Sequence, residues 1–311
     1  MLGVSGDNLM NSLLQSRIVD AHIHVWTPDT KKYPLAPGFT KDDFWLPTFT
    51  PKEHFEFSNS IGPVRINLVQ MTWYGLDHSY ILDLIDSDPD TFVGTGIVPA
   101  FSDVSLPSPD EAMIELSKGG IYAFRVRAKG ARVEIPNEQQ WLNYEGYDKM
   151  FAAASEHNLA LSFMINHPQF PELSRMCNKF PNAPIILDHV GGVRIRDGVF
   201  PEMALNKLCE MAKHKNIMVK LGPFQALGDK KSPYFDLLPV IKRIVEAFGP
   251  ERCMWESDCG GPIFVELLPS SNMKQDYPAA IDLIRQHSDF LSQSDIDYIL
   301  FKTAENFFFK R

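Results

Sequence analysis

The feature that most constrains this chain is a rhythm: short β-branched or apolar runs alternate, eight times over, with longer amphipathic runs. Short apolar runs of this kind read as buried strands. A strand-then-helix alternation builds a parallel sheet, because each helix carries the chain back across the sheet face. Strands are expected at residues 17–25, 64–71, 92–98, 121–127, 160–165, 184–190, 217–221 and 253–257. Helices are expected at 51–59, 79–86, 109–118, 144–157, 169–180, 201–213, 234–248 and 277–287, with 292–308 after them. Local signals agree. Ser108-Pro109-Asp110-Glu111 offers an N-cap, a proline at the first helical position and acids in the first turn. Ser292-Gln293-Ser294-Asp295 does similar service, and Gly249-Pro250 stops the helix that ends at Phe248.

Eight strand–helix units predict an α/β fold of the closed (β/α)8 type, since an open doubly wound sheet usually needs fewer strands. The chain has 311 residues, against roughly 250 for a typical barrel of this type. Two long loops account for the excess, 27–50 after the first strand and 128–143 after the fourth. Both should lie on the face where loops set substrate choice. No repeat, low-complexity tract or Gly/Ser-rich linker interrupts the pattern. One domain over 1–311 is therefore expected, with 1–16 as an N-terminal extension.

Charge narrows the possible partners. Lys plus Arg is 30 and Asp plus Glu is 39, a net −9. That balance argues against nucleic acid and against anionic membranes, both of which require basic patches. An anionic small molecule needs only two or three local Arg or Lys, so a small-molecule substrate is the expected partner; a homo-oligomer is compatible with the sequence. The cysteines, Cys177, Cys209, Cys253 and Cys259, form no CxxC pair, which fits neither a disulfide framework nor a zinc finger. The first residues lack a basic stretch followed by an apolar core of about 7–15 residues, and no apolar run approaches the ~20 needed for a span. A cytoplasmic protein is expected.

The chemistry-bearing residues fall where strands end. The first strand closes on Asp20-Ala21-His22-Ile23-His24. Side chains alternate along a strand, so His22 and His24 point the same way and can meet an ion or a substrate oxygen. His189 closes another apolar strand just before Gly191-Gly192, and Asp258 sits where the last strand meets Cys259-Gly260-Gly261. Any one of these alone is as easily a satisfied core histidine or a capping carboxylate. HxH, His and Asp on the first, sixth and eighth strands, all at C-terminal ends, are far harder to dismiss together.

Five stretches, DAHIHVW, LVQMTWYG, AFRVRA, LDHVGG and WESDCGGP, make the chain from Arg17 onward resemble the amidohydrolase-related group of the amidohydrolase superfamily. That group includes sugar lactonases, pyrone-dicarboxylate lactonases and aminocarboxymuconate-semialdehyde-type decarboxylases. The resemblance implies a hydrolase in which His22, His24 and Asp258 face a common centre and Asp258 takes the proton from an attacking water. It allows a divalent ion, zinc best suiting the donors, although metal-independent members exist. His189 would be a further ligand or would polarise the scissile carbonyl. His167, in Asn166-His167-Pro168, matches the fifth-strand ligand of the decarboxylase branch, or is a loop residue one position too far along. Arg125 and Arg127 would hold a substrate carboxylate, or form a salt bridge inside the barrel to Asp20 or Glu256. Lys220 would bind an anion, act as an electrophile, or pair with a strand-end acid. Trp26, Trp73 and Tyr74 would wall the pocket or simply pack. One departure is Cys259, where many relatives carry an aromatic residue.

The leading expectation is hydrolysis of a sugar lactone or carboxylated lactone. The first alternative is a zinc-dependent non-oxidative decarboxylase, and the second is a barrel without catalysis that serves as a binding protein.

Overall fold

A computed structural model describes residues 17–62, 64–99, 106–127, 141–229, 231–268 and 272–310. The expected extension 1–16 and residues 128–140 of the second long loop lie outside the described residues. Eight parallel strands follow one another in chain order: β1 (Ile18–Ile23), β2 (Val64–Val69), β3 (Phe92–Gly96), β4 (Ile121–Arg127), β5 (Ala160–Met164), β6 (Ile185–Leu187), β7 (Ile217–Leu221) and β8 (Cys253–Trp255). The sheet closes on itself. Ile23 bridges Cys259 in parallel, the Asp258 amide donates to the His22 carbonyl at 3.0 Å, and the His24 amide donates to the Cys259 carbonyl at 2.8 Å. The expected (β/α)8 barrel is what the chain forms.

Helices Pro51–Ser58, Ser79–Ser87, Pro109–Ser117, Glu145–His157, Phe170–Lys179, Glu202–Glu210, Leu238–Phe248 and Met273–Arg285 occupy the intervals after successive strands. Their apolar stripes cover the outside of the barrel, so the strands are buried on both faces and read as continuous apolar runs rather than alternating ones. Every residue of β1 is buried, its polar ones included. Ala21, Val93, Ala123, Ala160, Ile186 and Met254 pack together inside the barrel, stoppered by Phe301, Ala304 and Phe308 of the C-terminal helical segments. The polar residues of the same strands are thereby left to the opposite end.

The register of β1 on β2 shifts between Asp20 and Ile23. A bulge lets consecutive residues face one side. Ala21 belongs to the apolar interior cluster, and His22, next in sequence, also points inward, toward Lys220 of β7.

Candidate active site

Local backbone geometry builds the site. β6 stops at Leu187 because the chain turns sharply at His189, Val190 and Gly191, all with φ between 46° and 59°. A β-branched residue in the left-handed region stores roughly 1–3 kcal/mol of strain, tolerated only where the surroundings enforce it. β8 likewise ends at Trp255, and Asp258 adopts φ 52°. The glycines after it have a steric reason. A Cβ on Gly260 would run into the His24 carbonyl, and one on Gly261 into the Asp258 carboxylate.

These turns bring the strand-end groups together. His22 Nε2 and His24 Nε2 stand 3.2 Å apart, and Asp258 Oδ1 lies 3.6 Å from each. His24 Nδ1 donates to the Val69 carbonyl at 2.9 Å, which fixes its tautomer and leaves Nε2 as an acceptor, with Arg125 Nη1 at 3.3 Å. Burial, reinforced by the neighbouring charges of His22 and Arg125, holds the His24 pKa well below its usual value.

Beneath this mouth lies a buried charge network. Asp188 Oδ1 accepts from Lys220 Nζ at 2.9 Å and from Ser162 Oγ at 2.8 Å, while Arg125 Nε stands 3.7 Å from Oδ2. Burial alone would raise the Asp188 carboxyl, but Lys220, His22 and Arg125 outweigh it and hold the group well below the carboxylate range. Glu256 Oε1 accepts from both the ring Nδ1 (2.7 Å) and the backbone amide (3.0 Å) of His189. Here too burial opposes ionisation, and the attraction of His189 and then His22 wins, pulling the Glu256 carboxyl down. For His189 burial works to lower the pKa, but Glu256, Asp258 and Asp188 together raise it, so the ring favours its donor form. Asp20 accepts from the Ser257 and His22 amides and the Tyr277 hydroxyl, yet its desolvation pushes the carboxyl up to about 7.

The donor set at the mouth suits a divalent cation. Its three edges of 3.2, 3.6 and 3.6 Å are close to the ~3.4 Å separation of ligands in a tetrahedral shell about 2.1 Å from zinc. Two imidazole nitrogens and a carboxylate are also a chemically appropriate set. A second grouping of His22, Asp188 and His189 shares one residue with the first, but its carboxylate is already taken by Lys220.

The expected residues divide. His22, His24, His189 and Asp258 are brought together. Arg125 and Arg127 line the same strand, and both Nε atoms lack a hydrogen-bond partner among the described residues. Burial first, then repulsion from Arg125, lowers the Arg127 pKa to about 10. The ion pair of Arg125 is with Asp188, not the Asp20 or Glu256 considered from sequence. Lys220 takes the pairing option: it is fully buried against Asp188. His167 opens a 3-10 turn capped by Asn166, is half-buried, and lies outside both groups of ligand atoms. From β5, Ser162 reaches Asp188 and the Met164 sulfur stands 3.3 Å from Arg125 Nη2. Trp26 is fully buried, donates to the Leu46 carbonyl and packs edge-on to Trp45 and Trp73. The Tyr74 hydroxyl accepts from the Thr27 amide at 3.1 Å. Both aromatics knit the first long loop onto the barrel.

Sequence reasoning gave no site role to Asp188, Glu256 or Arg194. A signal existed for the first two: each is an acid directly after an apolar strand and is buried, where an uncompensated charge is too costly to persist. Arg194, half-buried beyond β6, interacts electrostatically with Asp258; it follows no motif.

Residues 19–310 match the family model described as amidohydrolase. The chain belongs to the amidohydrolase family. This member is 24% identical over 275 residues to a 2-pyrone-4,6-dicarboxylate hydrolase of Comamonas testosteroni, covering 85% of this chain and 83% of the relative. Its fold superposes with a TM-score of 0.70, at 16% identity, on a probable 2-pyrone-4,6-dicarboxylic acid hydrolase of Acinetobacter baumannii with citric acid bound, covering 94% of this chain and 98% of the other. A Burkholderia multivorans amidohydrolase with bound zinc superposes with a TM-score of 0.68 at 16% identity, again over 94% and 98% of the two chains. The expectation of a hydrolase is met at the level of the family. Among the described residues, no helix is long and apolar enough to cross a membrane.

Proposed function

We propose that this amidohydrolase opens a lactone carrying one or more carboxylates. The observation that carries the reading is a strand-end carboxylate beside two imidazoles, with Arg125 and Arg127 electrostatically coupled to them and lacking a hydrogen-bond partner at Nε among the described residues. Guanidinium donors left unmatched in a buried wall are costly, and a substrate carboxylate relieves that cost in a bidentate way. The likeness to a pyrone-dicarboxylate hydrolase supports the same substrate class.

In the proposed reaction Asp258 accepts a proton from water as the water oxygen adds to the lactone carbonyl carbon. His189, held by Glu256 and favouring its donor form, hydrogen-bonds the oxygen on which negative charge develops. The bond from the carbonyl carbon to the ring oxygen then breaks, and the proton held on Asp258 passes to that leaving oxygen. The products are an acid and an alcohol or its keto tautomer. A divalent ion held by His22, His24 and Asp258 adds Lewis acidity to the site when bound. The decarboxylase alternative leaned on His167, and a histidine outside the ligand groups gives it no support.

The test is a lactone panel with and without carboxylates, assayed on wild type and Asp258→Asn. We expect the carboxylated members to turn over, and Asp258→Asn to lose about 100-fold or more in kcat. Equal turnover by the two proteins, or a preference for uncharged lactones, would overturn the proposal.

A further inference from the structure

We infer that Lys220 is a positioning residue that sets the tautomer of His22 and so holds down the site's affinity for a divalent cation. The inference concerns the cation pocket, not the substrate, and it survives if the lactone reading fails.

One line of hydrogen bonds links Val69, His24, His22 and Lys220. A carbonyl oxygen only accepts, so the contact of His24 Nδ1 with the Val69 carbonyl at 2.9 Å puts a hydrogen on Nδ1. His24 Nε2 is then an acceptor, consistent with the Arg125 guanidinium 3.3 Å away, which only donates. His22 Nε2 lies 3.2 Å from that same atom. Two bare nitrogen lone pairs at this distance repel, so unless a cation sits between them, His22 Nε2 carries a hydrogen. Lys220 at the other end of the His22 ring favours the same assignment. The ring Nδ1 lies 3.1 Å from Lys220 Nζ, and an ammonium has donors and no acceptor. Asp188 at 2.9 Å and full burial fix that ammonium in place.

The opposite tautomer also has its partner ready. Glu256 Oε2 is 3.2 Å from His22 Nδ1 and makes no hydrogen bond to any other described residue. With Nδ1 protonated and donating to Glu256, Nε2 would be free to ligate alongside His24 and Asp258. The two arrangements differ by the position of one ring hydrogen. Lys220 stabilises the one that cannot ligate, and Glu256 the one that can.

The test uses the full chain stripped of metal. Nitrogen-15 spectra of the histidine rings are expected to show His22 protonated on Nε2 in wild type, and on Nδ1 in Lys220→Met. Zinc titration by chelator competition is expected to give a dissociation constant about 10- to 100-fold lower for Lys220→Met than for wild type, the usual reach of a change in the groups that orient ligands. Wild-type His22 protonated on Nδ1 would overturn the inference without any variant having to fold. So would an unchanged or weaker zinc affinity in Lys220→Met, or tighter binding with the His22 tautomer unchanged, which would mean simple charge repulsion. The double variant Lys220→Met with Asp188→Asn, which removes the ammonium together with the carboxylate it pairs with, is expected to bind zinc as tightly as the single one. Zinc binding unaltered by His24→Ala would overturn the cation pocket itself.

Discussion

At the scale of single residues, Arg127 offers a test of the proposed carboxylate site. It shares β4 with Arg125, its Nε lacks a hydrogen-bond partner among the described residues, and burial together with Arg125 depresses its pKa to about 10. A bound carboxylate would relieve both guanidinium groups at once. Arg127→Met is expected to raise KM for a carboxylated lactone about 10-fold or more, equivalent to roughly 1.5–3 kcal/mol, with kcat changed only a few-fold. An uncharged lactone, if turned over at all, should show no such change; steady-state kinetics on the pair is the check. The residues legible in the sequence were those whose pattern is chemical. His22 and His24 two apart, and Asp258 before paired glycines, stand out because few structural needs produce them. Asp188 and Glu256 did not stand out, since one acid in an apolar run has no spacing to read. Their meaning came from partners far along the chain, Lys220 and His189. His167 shows the converse, a suggestive dipeptide in the turn after β5 that falls outside both groups of ligand atoms.

At the scale of elements, the helix Pro51–Ser58 offers two measurable quantities. Thr50 caps it reciprocally with Glu53, whose carboxylate accepts from the Thr50 amide at 2.6 Å. Thr50→Ala should cost about 1 kcal/mol in urea unfolding. One turn on, His54 is buried among Phe55, Phe57 and Tyr277 with neither ring nitrogen hydrogen-bonded to a described residue. Burial lowers its pKa from 6.5 to about 3. The unfolded chain therefore takes up this proton at higher pH than the native one. The native state keeps its full stability above 6.5 and loses it as pH falls toward 3. His54→Phe should remove that slope, narrowing the stability lost between pH 7 and 5 by about 2 kcal/mol, read from denaturation midpoints at the two values. Element positions were largely legible because buried strands and amphipathic helices have different periods; β4 and β7 begin and end where the apolar runs do. β6 and β8 came out shorter than expected, Ile185–Leu187 and Cys253–Trp255. In both cases left-handed residues, His189 with Val190 and later Asp258, bend the chain where composition still reads as strand. The β1 bulge was invisible for the same reason: it is a property of pairing with β2, not of β1 alone.

At the scale of the whole molecule, the closure of the barrel rests on few bonds. Two backbone hydrogen bonds join β1 to the residues after β8, and Asp20 crosses the same seam to the Ser257 amide at 3.0 Å while holding the Tyr277 hydroxyl at 3.0 Å. Asp20→Ala would strand three buried donors, each worth roughly 1–3 kcal/mol when unsatisfied. We expect a loss of about 3 kcal/mol or more in global stability. We also expect faster hydrogen exchange at the Asp258 and Cys259 amides than at those of β4 or β5, measured by mass spectrometry of the deuterated protein.

That seam also decides when the protein acquires its reactivity. The imidazole pair arrives with the first strand off the ribosome and the carboxylate beside it only with the eighth, some 230 residues later. A growing polypeptide that has already wound seven of its eight staves still holds an incomplete reaction centre, and its exposed first-strand edge waits for the last. On the proposed mechanism the reaction centre is complete only once the ring has closed, so turnover requires an intact seam.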